Sequence, residues 1–238
     1  MSGHSKWSTI KHQKEATDAK RGQLFSKLSR AISIAAKQGG PNPDANLRLR
    51  VAIEQAKSFN MPKENIERVL KQVQEKLENL EEAIYEAYGP GGVGILIEAA
   101  TDNRNRTTQE IKNILERGGG SLGTPGSVAF QFEQNGLLLV DKGSDPETRM
   151  LSLIDLGAED VEEVEDGIEI YTKPGEVFTI KENLEREGIN IKSAELIYNP
   201  KNTMPLGSQD MTGKILKLIE ALDEHDDVQK VYTNADIN

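Results

Sequence analysis

Between Gly3 and Arg30 the chain carries Lys6, Lys11, Lys14, Lys20, Arg21, Lys27 and Arg30, offset only by Glu15 and Asp18. Crowded cations repel one another, and a polyanion relieves that repulsion while releasing its own counterions. Trp7, the single tryptophan, adjoins Lys6, and His12 lies between Lys11 and Lys14. An indole beside a cation can stack on a base or ribose while the cation meets a phosphate. A second pair, Arg104 and Arg106 in Asp102-Asn-Arg-Asn-Arg-Thr107, sits where a helix should open, and a helix start favours anions. These residues are the candidate nucleic-acid contacts. The plainer readings are a solvated basic tail with Trp7 as a docking anchor, and arginines paired with local carboxylates.

Other chemistries fit less well. The absence of cysteine removes disulfides, thiolate metal sites and cysteine nucleophiles together. Gly89-Pro-Gly-Gly-Val-Gly94 and Gly118-Gly-Gly-Ser-Leu-Gly123 match the dinucleotide glycine pattern, but each leads into a strand, whereas phosphate binding needs a helix start. Gly119-Gly-Ser121-Leu-Gly123 fits a nucleophile elbow in letters only, because the helix precedes the serine instead of following it. His225 reads as a polar loop residue. The acidic run Glu159–Asp166 lacks the ligand spacing of a calcium loop and reads as a solvated edge hairpin. The expectation is therefore no catalytic residue, no cofactor and no metal.

The elements that must carry the cations follow from patterning. Net charge is −10, yet residues 1–76 hold 15 Lys and Arg against 7 Asp and Glu, or +8, leaving −18 for residues 77–238. An acidic body discourages indiscriminate coating of DNA and offers a surface for a protein partner. Leu24, Phe25, Leu28, Ile32 and Ala35 recur at helical spacing up to Gly39-Gly40-Pro41, with Lys20, Lys27, Arg30 and Lys37 on the opposite side. A second helix is expected over residues 44–59, and a third from Pro62 through Ile66, Val69, Leu70, Val73, Leu77 and Leu80. Strands are expected at 93–101 and 127–133, separated by a helix opened by Thr107-Thr-Gln-Glu110. Residues 137–199 then read βαββαβ, with a hairpin at Asp166-Gly167, followed by a helix at 211–224 and a strand at 228–233. The expected fold is α+β and multi-domain: an N-terminal three-helix bundle (1–82) plus two α/β domains. The third domain (136–205) is ferredoxin-like and inserted in the second (83–135 and 206–238). No apolar run approaches the ~20 residues of a membrane span, and with no signal-peptide core the expected location is cytoplasmic.

Gly3-His-Ser-Lys-Trp7, Ile10-Lys-His12, Asp18-Ala-Lys-Arg-Gly22, Asn60-Met-Pro-Lys-Glu-Asn-Ile-Glu-Arg68, Tyr88-Gly-Pro-Gly-Gly92, Thr101–Thr107, Gly119–Val128 and Asp226-Asp-Val-Gln-Lys-Val-Tyr232 resemble the YebC family, which includes mitochondrial translational activators of cytochrome oxidase subunit I. The resemblance covers nearly the whole chain. It implies the same three-domain arrangement and no catalysis. It also implies DNA-binding transcriptional regulation, as described for many bacterial members, or action on translation at the ribosome and its RNA, including relief of stalling. At residues 72–82 continuous helix formers replace the family's glycine-containing connection.

Overall fold

The computed structural model describes residues 18–75 and 80–237. Three helices come first, α1 (Asp18–Gly39), α2 (Leu47–Ser58) and α3 (Lys63–Glu75). Leu28, Ile32, Ala35 and Ala36 of α1 meet Leu49, Ala52, Ile53 and Ala56 of α2 and Ile66 and Val69 of α3 in one core. Their spacing of three and four puts them on one stripe of each helix. Gly40, at φ 86°, turns the chain after α1. Asn46 then joins the two helices. Its Oδ1 accepts from Leu49 N at 3.1 Å, capping α2, while its Nδ2 donates to Ala35 O at 2.7 Å and Gly40 O at 2.8 Å.

The order continues with β1 (Glu81–Tyr88), β2 (Gly94–Thr101), α4 (Arg104–Arg117), β3 (Ser121–Leu122), β4 (Phe132–Val140), α5 (Pro146–Asp155), β5 (Asp160–Val164), β6 (Gly167–Thr172), α6 (Val177–Arg186), β7 (Ile191–Pro200), β8 (Met204–Pro205), α7 (Gln209–Asp223), β9 (Val228–Thr233) and β10 (Ala235–Asp236). One sheet has the order β3-β1-β2-β9. Ile95 and Ile97 of β2 pack against Ile111 and Leu115 of α4 and Ile215 and Leu218 of α7. A near-continuous apolar run suits β2, since both its faces are covered.

Two expectations are corrected here. The third helix does not run on to Leu80: Glu81–Tyr88 is a strand, paired along its length with β2 from Glu81 opposite Thr101 to Tyr88 opposite Gly94. Residues 76–79 lie outside the described residues. The helix formers of β1 are overridden because Ala83, Tyr85 and Ala87 alternate into the core of the sheet. Nor is 127–133 a strand. The side chain of Glu86 takes the backbone N–H groups of Gly126, Val128 and Ala129, which a ladder would need, so the chain loops until β4 begins at Phe132.

The second sheet has the order β5-β6-β4-β7 with antiparallel pairs throughout, the ferredoxin-like arrangement, and β5 lies at its edge. Leu138, Val140, Ile168 and Ile170 pack against Leu153 of α5 and Ile180 and Leu184 of α6. The chain then returns, and β9 completes the first sheet against β2, so this unit is an insertion. The other faces of the two sheets share Leu96, Phe132, Leu137, Tyr171, Ile197 and Tyr232.

Ion pairs and a cation–ring contact tie the helical bundle to β1 and to α6. Arg48 pairs with Glu82, Lys181 with Glu54 at 2.8 Å, and the Arg50 guanidinium lies 4.8 Å from the centre of the Phe178 ring. Arg48 and Arg50 of α2 are thus engaged across these contacts. A cavity of about 220 Å³ remains at the junction, with Lys27, Arg48, Glu82, Glu98 and Gln229 on its walls. None of the described helices is long and apolar enough to cross a membrane.

Candidate nucleic-acid interface

The two cationic stretches, distant in sequence, meet at one carboxylate. Asp227 lies in the turn between α7 and β9 and is 3% exposed. Its Oδ1 pairs with Arg30 Nη1 of α1 at 2.7 Å, and its Oδ2 with Arg106 Nη2 of α4 at 2.7 Å. Thr107 Oγ1 donates to Oδ2 at 2.6 Å, and the Thr101 and Thr107 hydroxyls are 2.8 Å apart. Burial alone would raise this carboxyl, but the Thr107 hydroxyl, Arg106 and the charge of Arg30 hold it below the usual carboxylate range.

Local sequence explains the placement. Asn103 caps α4, its Oδ1 accepting from Arg106 N at 3.1 Å, so the guanidiniums of Arg104 and Arg106 leave from the first turn. Arg106 also reaches Asp102 at 3.0 Å and approaches Glu110 at 3.8 Å. Its pKa is raised, chiefly by the hydrogen bond to Asp227. On the other side, α1 lies across the C-terminal end of α7, where unpaired carbonyls and the helix dipole favour cations. Lys27 donates to Asp223 O, Gln23 Nε2 to Glu224 O at 2.6 Å, and Arg30 Nη1 to Asp226 O at 2.6 Å.

The outward cationic face expected for α1 is corrected accordingly. Lys27 is 9% exposed, and Arg30 is committed to Asp227, because the face opposite the bundle core packs on α7 and the turn after it. Lys37, on the same expected face, donates to Leu80 O at 3.1 Å. Arg106 is likewise neutralised within the fold. Arg21 and Arg104 are exposed, with no ion pair among the described residues. Lys20 lies in the first turn of α1, and its side chain lies outside the described residues, as do Lys6, Trp7, Lys11, His12 and Lys14. Gln23 and Arg30 of α1 hold the turn after α7, the same turn to which Arg106 is tied.

Glu110, His225 and Asp227 bring potential metal-ligand atoms within 4.8 Å of one another. The donor set fits a metal poorly. His225 Nδ1 accepts from Asp227 N at 3.1 Å, leaving Nε2 to carry the proton toward Glu110 Oε2 at 2.9 Å. Two guanidiniums already hold the Asp227 oxygens. The glycine runs serve turns and close approaches: Gly91 and Gly92 have φ 76° and 83°, and a Cβ on Gly120 would lie 2.6 Å from Tyr88 O. Ser121 is on β3, after α4, so the strand-to-helix geometry of an elbow is missing there.

Residues 5–76 match the family model described as the TACO1/YebC protein N-terminal domain, and residues 80–235 the one described as the TACO1/YebC second and third domain. The chain belongs to the TACO1/YebC family. Similar proteins include a "Probable transcriptional regulatory protein" of Persephonella marina, 50% identical with 100% of this chain and 97% of the relative covered. One of the same description from Aquifex aeolicus is 48% identical, covering 100% and 96%. Among solved structures, a conserved hypothetical protein of Aquifex aeolicus matches with a TM-score of 0.89 and 47% identity over 98% of each chain. The Thr101–Thr107 and Asp226–Tyr232 stretches, with Arg30 of α1, make up the Asp227 cluster. Reading the sequence singled out both motifs but not their contact, because no local spacing links residues about 120 positions apart.

Proposed function

We propose that this chain is a non-enzymatic, nucleic-acid-binding regulator of gene expression, acting on DNA as a transcriptional regulator. Its N-terminal arm (Lys6, Trp7, Lys11, His12, Lys14) and the start of α1 (Lys20, Arg21) grip phosphates, and Arg104 extends the grip on α4. Lys27, Arg30 and Arg106 orient these groups by fixing α1 and α4 to the Asp223–Asp227 turn. The observation that carries the reading is the separation of charge, +8 over residues 1–76 against −18 over the rest, with Asp227 tying Arg106 of α4 to Arg30 of α1. The relatives' description as transcriptional regulators supports it. The acidic domains keep general duplex binding weak and are available to a protein partner.

A second reading, a translational activator acting on structured ribosomal RNA, is favoured by one observation. Phe130 is 66% exposed on a tightly held loop, an arrangement suited to an unpaired base. Cross-linking in living cells, followed by sequencing of the bound DNA and RNA, separates the two. Enrichment of promoter DNA supports the first reading and enrichment of ribosomal RNA the second, while recovery of neither above background refutes both.

A further inference from the structure

Phe130 is the most exposed large aromatic among the described residues, and it sits on a loop held by several hydrogen bonds. The buried Glu86 carboxylate accepts Gly126 N and Val128 N at 2.6 Å and Ala129 N at 2.7 Å, while Glu86 O accepts Gly123 N at 2.7 Å. Tyr88 Oη donates to Ser127 O at 2.8 Å. Behind the ring, Gln131 Oε1 accepts from Asn234 Nδ2 at 2.7 Å, and Lys201 N donates to Gln131 O at 2.9 Å. Lys201 Nζ donates to the carbonyl of Phe130 itself at 3.0 Å, which fixes a cation beside the aromatic backbone.

Holding an apolar ring rigidly in water is unfavourable unless something covers it. An apolar partner surface would want neighbouring apolar anchors. On the Gly123–Gln131 loop Phe130 is the one exposed large hydrophobic, beside the smaller Pro125 and Ala129, and Lys201 supplies a cation next to it. That combination suits a base on the ring and a phosphate at the ammonium. The acidic body and Glu133 disfavour tracking along duplex phosphates, and the bases of a duplex are stacked out of reach. The spot is also separate from the Asp227 cluster. Gln131 is linked through Asn234 to Gly94 at one end of β2, whereas Thr101 and Thr107 join the cluster from the other end, roughly 24 Å away at about 3.4 Å per residue.

We infer that the Gly123–Gln131 loop is a second contact, in which Phe130 stacks on an unpaired base of the bound nucleic acid and Lys201 meets the adjoining phosphate. This rests on the nucleic-acid reading above and narrows it to targets that combine a paired stem with unpaired bases. The probes are an RNA hairpin with a uridine-rich loop and the same sequence annealed to its complement, titrated by fluorescence anisotropy over a range of salt. Phe130→Ala, checked for an unchanged melting curve, is expected to bind the hairpin about tenfold more weakly, within the ~5- to 150-fold range for loss of one stacked base. It should bind the duplex as before and keep the wild-type salt slope, since stacking releases no counterion. Phe130→Trp should restore hairpin binding. If Phe130→Ala binds the hairpin as tightly as the wild type, or loses equally on both probes, this inference fails while the basic-arm reading stands. A wild type that binds neither probe overturns this inference, and it overturns the basic-arm reading as well only if a DNA duplex of the same sequence is also left unbound.

Discussion

Replacing Glu169 with Gln should stabilise the protein, and by more at alkaline than at acid pH. Glu169 is 3% exposed on β6, its side chain on the face opposite Ile168 and Ile170. Burial raises its pKa from 4.5 to about 7, opposed by the Tyr171 Oη hydrogen bond at 2.8 Å and reinforced more weakly by the charges of Glu162 and Glu195. A carboxyl that holds its proton more tightly when folded gives its full stability below pH 4.5, and that stability is lost as pH rises through about 7. From these two values the stability lost, relative to a residue that does not titrate, is about 1 kcal/mol at pH 5 and about 3 kcal/mol at pH 8, at about 1.4 kcal/mol for each tenfold difference in proton affinity between the folded and unfolded chain. Gln keeps an acceptor for Tyr171 and cannot ionise, so it should recover those amounts. Urea unfolding of both proteins at pH 5 and pH 8, followed by circular dichroism, measures the difference. An equal difference at the two pH values, or a Gln variant less stable at pH 8, would refute the reasoning.

Two further variants probe the clusters that organise the site. Asp227→Asn should cost about 2–4 kcal/mol at neutral pH, because Arg30 and Arg106 lose a shared buried partner. The Asp227 pKa is depressed, so the wild-type advantage is present above about pH 4 and fades as pH falls through the folded value. Urea midpoints of the two proteins that differ by as much at pH 3 as at pH 7 would contradict this. Glu86→Ala should cost about 3 kcal/mol by leaving the amides of Gly126, Val128 and Ala129 unpaired, at about 1 kcal/mol or more each. Amide hydrogen exchange should quicken at those three residues first, and unchanged protection there would count against the clamp.

Much of the fold was legible in the sequence because its elements obey their own periods. α1, α6, α7 and β9 fall within a few residues of the periodic stretches, and the βαββαβ order of the inserted unit was readable from strand and helix patterns alone. Where the reading failed, a partner distant in sequence decided. β1 is built from helix-compatible residues, and only pairing with β2 makes it a strand. The loop before β4 is apolar enough for a strand, and a single carboxylate from β1 holds it open. The candidate site was legible as a set of cations but not as a geometry. A helical wheel distinguishes apolar from polar faces. It does not reveal that the polar face of α1 docks on carbonyls and carboxylates at the end of α7, which is why Lys27 and Arg30 were expected outside.

The central claim, that the basic arm and the start of α1 grip phosphates, is tested most directly by the salt dependence of nucleic-acid binding. Wild type should be compared with a variant in which Lys11, Lys14, Lys20 and Arg21 are all replaced by Gln, each titrated with a duplex DNA and a structured RNA. The account predicts weaker binding by the variant and a slope of log affinity against log salt shallower by up to ~0.9 for each duplex phosphate that the variant no longer neutralises. A folded variant with wild-type affinity and an unchanged slope would contradict it.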